Sequence, residues 1–267
     1  MEHPAYGLLR PVTETASVLL CDNPGLMTLE GTNTWVLKGP GSDEMVVVDP
    51  GPDNEVAHIE RLAAIGPIPL VLISHRHSDH TGGIDQIVEL TGAVVRSVGS
   101  GFLRGPGGPL TDGEVIDAAG LRITVMATPG HTADSVSFLL DDAPGKRGGG
   151  RGSVLTADTI LGRGTSVIDH EDGDLGDYLE SLRRLRGSGP RTVLPGHGPE
   201  LDDIFTVSET YLAHREERLG QVRAALRDLG DGVSNREVVE HVYGDVDEKL
   251  WDAAEWSVQA QLDYLRR

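Results

Sequence analysis

Short apolar runs broken by turn residues dominate the first two-thirds of the chain. Ser17 to Leu20, Thr34 to Leu37 and Met45 to Val48 each have the length of a strand, with turn formers such as Gly39-Pro40-Gly41-Ser42 between them. Asp49-Pro50-Gly51 ends the third run sharply, and Asn54 is placed to cap a helix whose apolar stripe is Val56, Ile59, Leu62 and Ala63. Pro69 to Ile73 reads as a buried strand. Gly82-Gly83 lead into a second helix with Ile84, Ile87, Val88 and Leu90 inward, and a strand at Ala93 to Val95 follows. Leu121 to Ala127 alternates as a strand, Ser135 to Leu140 and Ser153 to Ala157 flank a glycine-rich hairpin loop, and Thr192 to Leu194 is the last strand. From Val207 to Leu229 the period becomes that of a long helix. Ser234-Asn235-Arg236-Glu237 has the form of a capping box, and a last helix carries Leu250, Ala254, Val258, Leu262 and Leu265 inward. Strands interleaved with helices define an α/β (α+β) class, with residues 1–204 expected as one domain and 205–267 as a small helical one.

The chemistry gathers where these strands end. Directly after Pro69 to Ile73 comes Ser74-His75-Arg76-His77-Ser78-Asp79-His80, with three imidazoles and a carboxylate at 75, 77, 79 and 80. Alternate positions 75 and 77 can point one way, while 79 and 80 fall on the following turn and can aim at a second point. The step Pro-Gly-His then occurs twice after a strand, delivering His131 and His197, and the strand Val154 to Ala157 ends in Asp158. Proline stops ladder pairing there, and glycine permits the close approach a rim ligand needs. Sheet rims are where α/β proteins place their ligand sites. Neutral imidazole and carboxylate suit zinc, with iron or manganese as the other metals these donors accept. Seven ligands exceed one tetrahedral ion and suit two metals with open positions.

Composition narrows the partners. The chain has 267 residues, with 42 acidic against 23 basic side chains, a net charge of −19. Such a surface repels a polyanion at long range, so a nucleic-acid substrate would need a local basic or metal-lined site. A lone Cys21 excludes an intrachain disulfide and fits a reducing compartment. The absence of a signal-peptide pattern at Met1-Glu2-His3-Pro4, and of any membrane-length apolar run, makes a cytoplasmic protein the expectation.

The spacing of the motifs resembles the metallo-β-lactamase superfamily over roughly residues 15 to 200, and all five of its motif positions are filled. The resemblance implies an αββα sandwich. It implies one metal on His75, His77 and His131 and a second on Asp79, His80 and His197. Asp158 and a hydroxide would bridge the two, with Asp49 supporting the motif loop from behind. His80 and Asp158 stand where zinc β-lactamases carry arginine and cysteine, which argues against antibiotic hydrolysis, and His77 stands where a flavodiiron protein needs Glu. The stretch Asn23 to Trp35 and the segment Gly162-Arg163-Gly164-Thr165 resemble the lactamase-beta-like-2 group, whose animal members are single-stranded-RNA endoribonucleases. Asn33, Arg163 and Thr165 fall in these signatures and are the candidate substrate contacts. The tail resembles a winged-helix module.

The expected reaction is therefore hydrolysis by a metal-activated hydroxide at two Zn²⁺, oriented by Asp79 as the catalytic carboxylate. The expected substrate is a phosphodiester such as single-stranded RNA. The alternatives are a thioester hydrolase resembling glyoxalase II, persulfide dioxygenation with one iron, and a non-catalytic winged-helix binding protein. The tail from Phe205 carries eight basic and thirteen acidic residues, so no sequence-specific DNA binding is expected, and packing or homo-oligomer formation is its expected role. Trp251 and Trp256 read as core or interface anchors. Gly145 to Gly152 reads as a flexible hairpin loop, and Arg104 as a solvent-facing cation. His3, His58, His170, His214 and His241 read as surface or locally bonded residues.

Overall fold

Two sheets lie face to face with helices on their outer sides, in a computed structural model that describes residues 5–141, 151–169, 171–230, 232–244 and 247–267. The first sheet holds β1 (Leu9–Pro11), β2 (Ala16–Leu20), β3 (Asn33–Leu37), β4 (Val46–Val48), β5 (Leu70–Leu72) and β6 (Val94–Arg96) in sequence order. The second holds β7 (Val115–Ala118), β8 (Leu121–Ala127), β9 (Val136–Leu140), β10 (Gly152–Ala157) and β11 (Arg191–Pro195), each beside its neighbour in the chain. Helix α1 (Val56–Ile65) joins β4 to its parallel neighbour β5. The short α2 (Ser78–Thr81) and α3 (Ile84–Thr91) join β5 to β6, again in parallel. Parallel pairing needs such crossovers, whereas β7 to β10 pair antiparallel. Helix α4 (Leu175–Arg186) leads into β11. The tail is α5 (Ile204–Leu229), α6 (Asn235–Val242) and α7 (Trp251–Leu265).

The period of two sets the layers. On β4, Val46 and Val48 pack between the sheets, while Val47 faces Ile59 and Leu62 of α1. On β9 and β10, Phe138, Leu140 and Leu155 face inward, and Leu139 and Val154 face Tyr178 and Leu182 of α4. Both faces of the central strands are buried, which is why they read as continuous apolar runs. Each such side chain contributes roughly 1.5–3 kcal/mol, so a one-residue slip of register would forfeit several of them at once. Helix α5 belongs to two cores: Ile204, Tyr211 and Leu219 pack with α4, and Val222 and Ala225 pack with α6 and α7.

Some local expectations are corrected. Asn54 does not cap α1, because Glu55 occupies that position and no side-chain cap bond forms. Val56 and Leu90 are about half exposed, at the edges of otherwise buried stripes. Leu250 sits in a 3-10 turn before α7 and not on it, while α5 begins at Ile204, capped by Asp203. Trp256 is 40% exposed and anchors no core. Arg104 is paired with Asp85 at 2.7 Å. The expected capping box on Ser234 and Glu237 is present. Helix α4 escaped the sequence reading, although Asp174 caps it and Leu175, Tyr178, Leu182 and Leu185 mark its buried face. The loop expected at Gly145 to Gly152 falls largely, and His3 and His170 fall wholly, outside the described residues. No helix among the described residues is long and apolar enough to cross a membrane.

Candidate metal centre

Four strand ends converge at one rim. His75 and His77 follow β5, Asp79 and His80 lie on α2, His131 follows β8, Asp158 follows β10 and His197 follows β11. The seven side chains form two groups: His75, His77, His131 and Asp158 in one, and Asp79, His80 and His197 in the other. In the first, His77 Nδ1 lies 3.0 Å from His75 Nε2 and 3.1 Å from His131 Nε2. In the second, His80 Nε2 is 3.3 Å from His197 Nε2, and Asp79 Oδ2 is 3.4 and 3.1 Å from those two nitrogens. Donors held 2.0–2.1 Å from a tetrahedral ion lie about 3.3 Å apart, which matches this crowding. One ring hydrogen on His77 could not serve both of its nitrogen neighbours, whereas one cation would serve all three.

The reverse side of each ring fixes which nitrogen faces inward. His80 Nδ1 meets Asp49 Oδ2 at 2.9 Å, His131 Nδ1 donates to Val167 O at 2.6 Å, and His197 Nδ1 donates to Gly31 O at 3.1 Å. Ser74 Oγ donates to Asp49 at 2.7 Å and therefore accepts from His75 Nδ1 at 2.9 Å. His77 is reversed: its Nε2 meets Asp169 Oδ2 at 2.8 Å, which turns Nδ1 inward. All five imidazoles thus turn one nitrogen to the centre, the arrangement that outer partners impose on metal-binding histidines. Asp49 and Ala157 hold this rim with left-handed backbones, at φ 57° and 43°. Such conformations persist only where the surrounding bonds over-determine them.

Charge follows from burial. Desolvation, helped by the neighbouring His80, holds His75 well below the usual imidazole range, and desolvation lowers His131 as well. Burial opposes charge on His80 too, yet Asp79, Asp158 and Asp49 together push it well above that range. His197 rises to about 9 against its burial through Asp158 and Asp79. Burial raises Asp79, but His80 and the bond from His197 outweigh it and bring the carboxyl down to about 2. In the first group His75 and His131 are therefore neutral donors. The second pairs ionised carboxylates with protons that a cation would replace. Asp158 Oδ1 is buried without a hydrogen-bond partner, a fit for a cation.

A cavity of about 410 Å³ opens over both groups. Leu26, Met27, Leu161 and Ala253 give it a largely apolar wall, and Arg163 and Thr165 also border it. Arg163 is already engaged by Glu30 at 2.5 Å. Asn33, expected at the substrate, is buried outside this cavity and donates to Pro195 O and Gly198 O at 3.0 and 2.8 Å, bracing the turn that carries His197. His58 is buried against Thr34, its Nε2 2.8 Å from the hydroxyl, and burial lowers it to about 4. His214 is half-buried and lines the cavity, and His241 is 43% exposed beside Asp228.

Sequence reasoning missed Asp169, which also pairs with Arg76 at 2.5 Å. Its distance from the His77 motif in the chain concealed it. Asp169→Ala should weaken metal binding by roughly 10–100-fold, as the loss of such partners does, while Asp172→Ala should not. Competition with a chromophoric chelator measures both, and equal affinities would remove Asp169 from the account.

A four-layer sandwich with two clusters of metal-type ligands at one strand rim defines a metal-dependent hydrolase class. Residues 27–197 match the model of the metallo-beta-lactamase superfamily, and residues 234–267 match the beta-lactamase associated winged helix domain. The chain belongs to the metallo-beta-lactamase superfamily and is a metal-dependent hydrolase of that class. It is 29% identical to a beta-lactamase-like protein 2 homolog of Drosophila melanogaster, covering 96% of this chain and 89% of that one. It is 32% identical to the lactamase-like protein adaB of Aspergillus niger, covering 94% and 80%. A beta-lactamase domain protein from Burkholderia ambifaria shares the fold with a TM-score of 0.80, at 20% identity over 99% of this chain and 89% of that one.

Proposed function

We propose that the protein hydrolyses a small acyl ester or thioester with an apolar body, at two zinc ions held by His75, His77, His131 and by Asp79, His80, His197, with Asp158 between them. The observation that carries this reading is the largely apolar cavity of about 410 Å³ directly over both ligand groups. Apolar walls with few polar groups select small molecules. Single-stranded RNA, the substrate implied by the group resemblance, needs cations along its backbone, and Arg163 is spent on Glu30 in a chain of charge −19. Iron or manganese would be accepted by the same donors.

When bound, such metals lower the pKa of water to about 7 and polarise the scissile oxygen. The chain's own groups do the rest. Asp79, ionised at any working pH and touched by Thr32 Oγ1 at 3.4 Å, is the acceptor that orients the attacking water. The Gly31 and Val167 carbonyls and the Asp169 and Asp49 carboxylates keep the rings from rotating as charge develops. The apolar wall excludes bulk water and seats the acyl group.

A series of acyl thioesters of rising chain length, run beside a single-stranded RNA oligonucleotide, tests the reading. Each added methylene should raise kcat/KM about fourfold until the cavity fills, from about 0.8 kcal/mol per buried CH₂, with far less response to salt than a polyanion shows. RNA cleavage that weakens steeply with salt, beside thioesters left intact, would sink it and return the phosphodiester reading.

A further inference from the structure

One wall of the cavity is built by α5 and carries positive charge. His214, Arg215 and Arg218 all line it, on successive turns of one helix face. Arg215 is 3% exposed, donates to the Ser166 carbonyl and lies over the Tyr178 ring at 4.8 Å, and its Nε has no partner. Arg218 donates to Val242 O and Gln221 Oε1 and lies over the Tyr243 ring at 4.6 Å. The Nδ1 of His214 is buried and bonds nothing.

Among the described residues neither guanidinium forms an ion pair with a carboxylate, although the chain has 42 acidic residues and most of its other arginines are paired. Burying a cation without a counter-charge is costly, and an aromatic face returns only part of that cost. The missing partner is an anion that is not part of the chain. We propose that this wall is a subsite for one anionic oxyacid group, a carboxylate or a phosphate, carried by the substrate away from the bond that is cut.

Arg218 and Arg215 supply charge and directed N–H donors, and His214 supplies a neutral ring nitrogen, kept neutral by burial and by the two arginines. One such group suits a small substrate and leaves a polyanion unserved. The inference rests on the small-substrate reading above and adds an anionic end to it.

Binding by chelator-treated full-length protein isolates the subsite, because anion affinity then owes nothing to metals or to the bond hydrolysed. Isothermal titration with glutarate and, separately, with inorganic phosphate should show saturable binding of at least one, and the tighter of the two names the oxyacid. Arg218→Gln should raise its dissociation constant at least tenfold, while Arg218→Lys should recover much of the loss. His214→Leu should weaken binding severalfold without lowering Tm. If neither anion binds the wild-type protein, or if Arg218→Gln and His214→Leu bind as tightly as wild type, the subsite does not exist. A failed thioester panel with these affinities intact would overturn the acyl chemistry and leave the subsite standing.

Discussion

Asp158→Ala should lose bound metal and at least roughly a thousandfold in kcat/KM while the chain stays folded. This carboxylate stands between the two ligand groups. Its Oδ2 is 3.7 Å from His131 Nε2 and 3.4 Å from His197 Nε2, and its Oδ1 is 3.4 Å from His80 Nε2. Removing it leaves His80 and His197 facing each other at 3.3 Å with only Asp79 and Asp49 to offset charge on them. Three decimal orders of rate equal about 4.1 kcal/mol, and the loss of a shared ligand is of that scale. His77→Ala touches one group alone and should remove one ion of two. Elemental analysis of both variants, with circular dichroism as the folding control, checks the pair. Unchanged metal content in Asp158→Ala would refute a shared centre.

The second large effect concerns folding. Gly130→Ala should cost several kcal/mol or prevent folding, because its Cβ would lie 2.3 Å from the backbone N and Cα of Tyr178, at φ +130°. The other Pro-Gly-His step behaves differently. A Cβ on Gly196 would meet Asp158 Oδ1 at 2.4 Å and His80 Cε1 at 3.0 Å, with no left-handed backbone. Gly196→Ala should therefore spare most of the stability and weaken metal binding. Denaturant unfolding separates the two, and a Gly130→Ala protein as stable as wild type would contradict the packing of α4 on that turn.

These two glycines show what the sequence could and could not tell. The repeated Pro-Gly-His step marked ligand positions, since proline and glycine after a strand are local signals. It did not distinguish a glycine that fits under a helix from one that fits under a carboxylate. The candidate ligands were legible because His75, His77, Asp79 and His80 crowd into six residues at a strand end. Asp169 was not, because its role depends on how a loop 92 residues away returns over His77. Asn33 was misplaced for the opposite reason: a signature located it near the rim, but only packing shows its amide turned toward Pro195 and Gly198. Short apolar runs marked nearly every central strand, while α4 was passed over between two more conspicuous motifs.

A chain with one cysteine cannot cross-link itself by disulfide. Each ligand group nevertheless joins residues that follow β5 to residues that follow β8, β10 or β11, on opposite sheets. A bound ion therefore closes loops as long as that from residue 80 to residue 197. Tying such a loop removes chain entropy from the unfolded state worth about 5 kcal/mol in the simplest account. Chelation would lower the stability of this protein as reduction lowers that of a disulfide-bonded one, while the apolar core between the sheets keeps the chain folded. The supply of metal, and not the redox state of the compartment, would then set the margin of that stability.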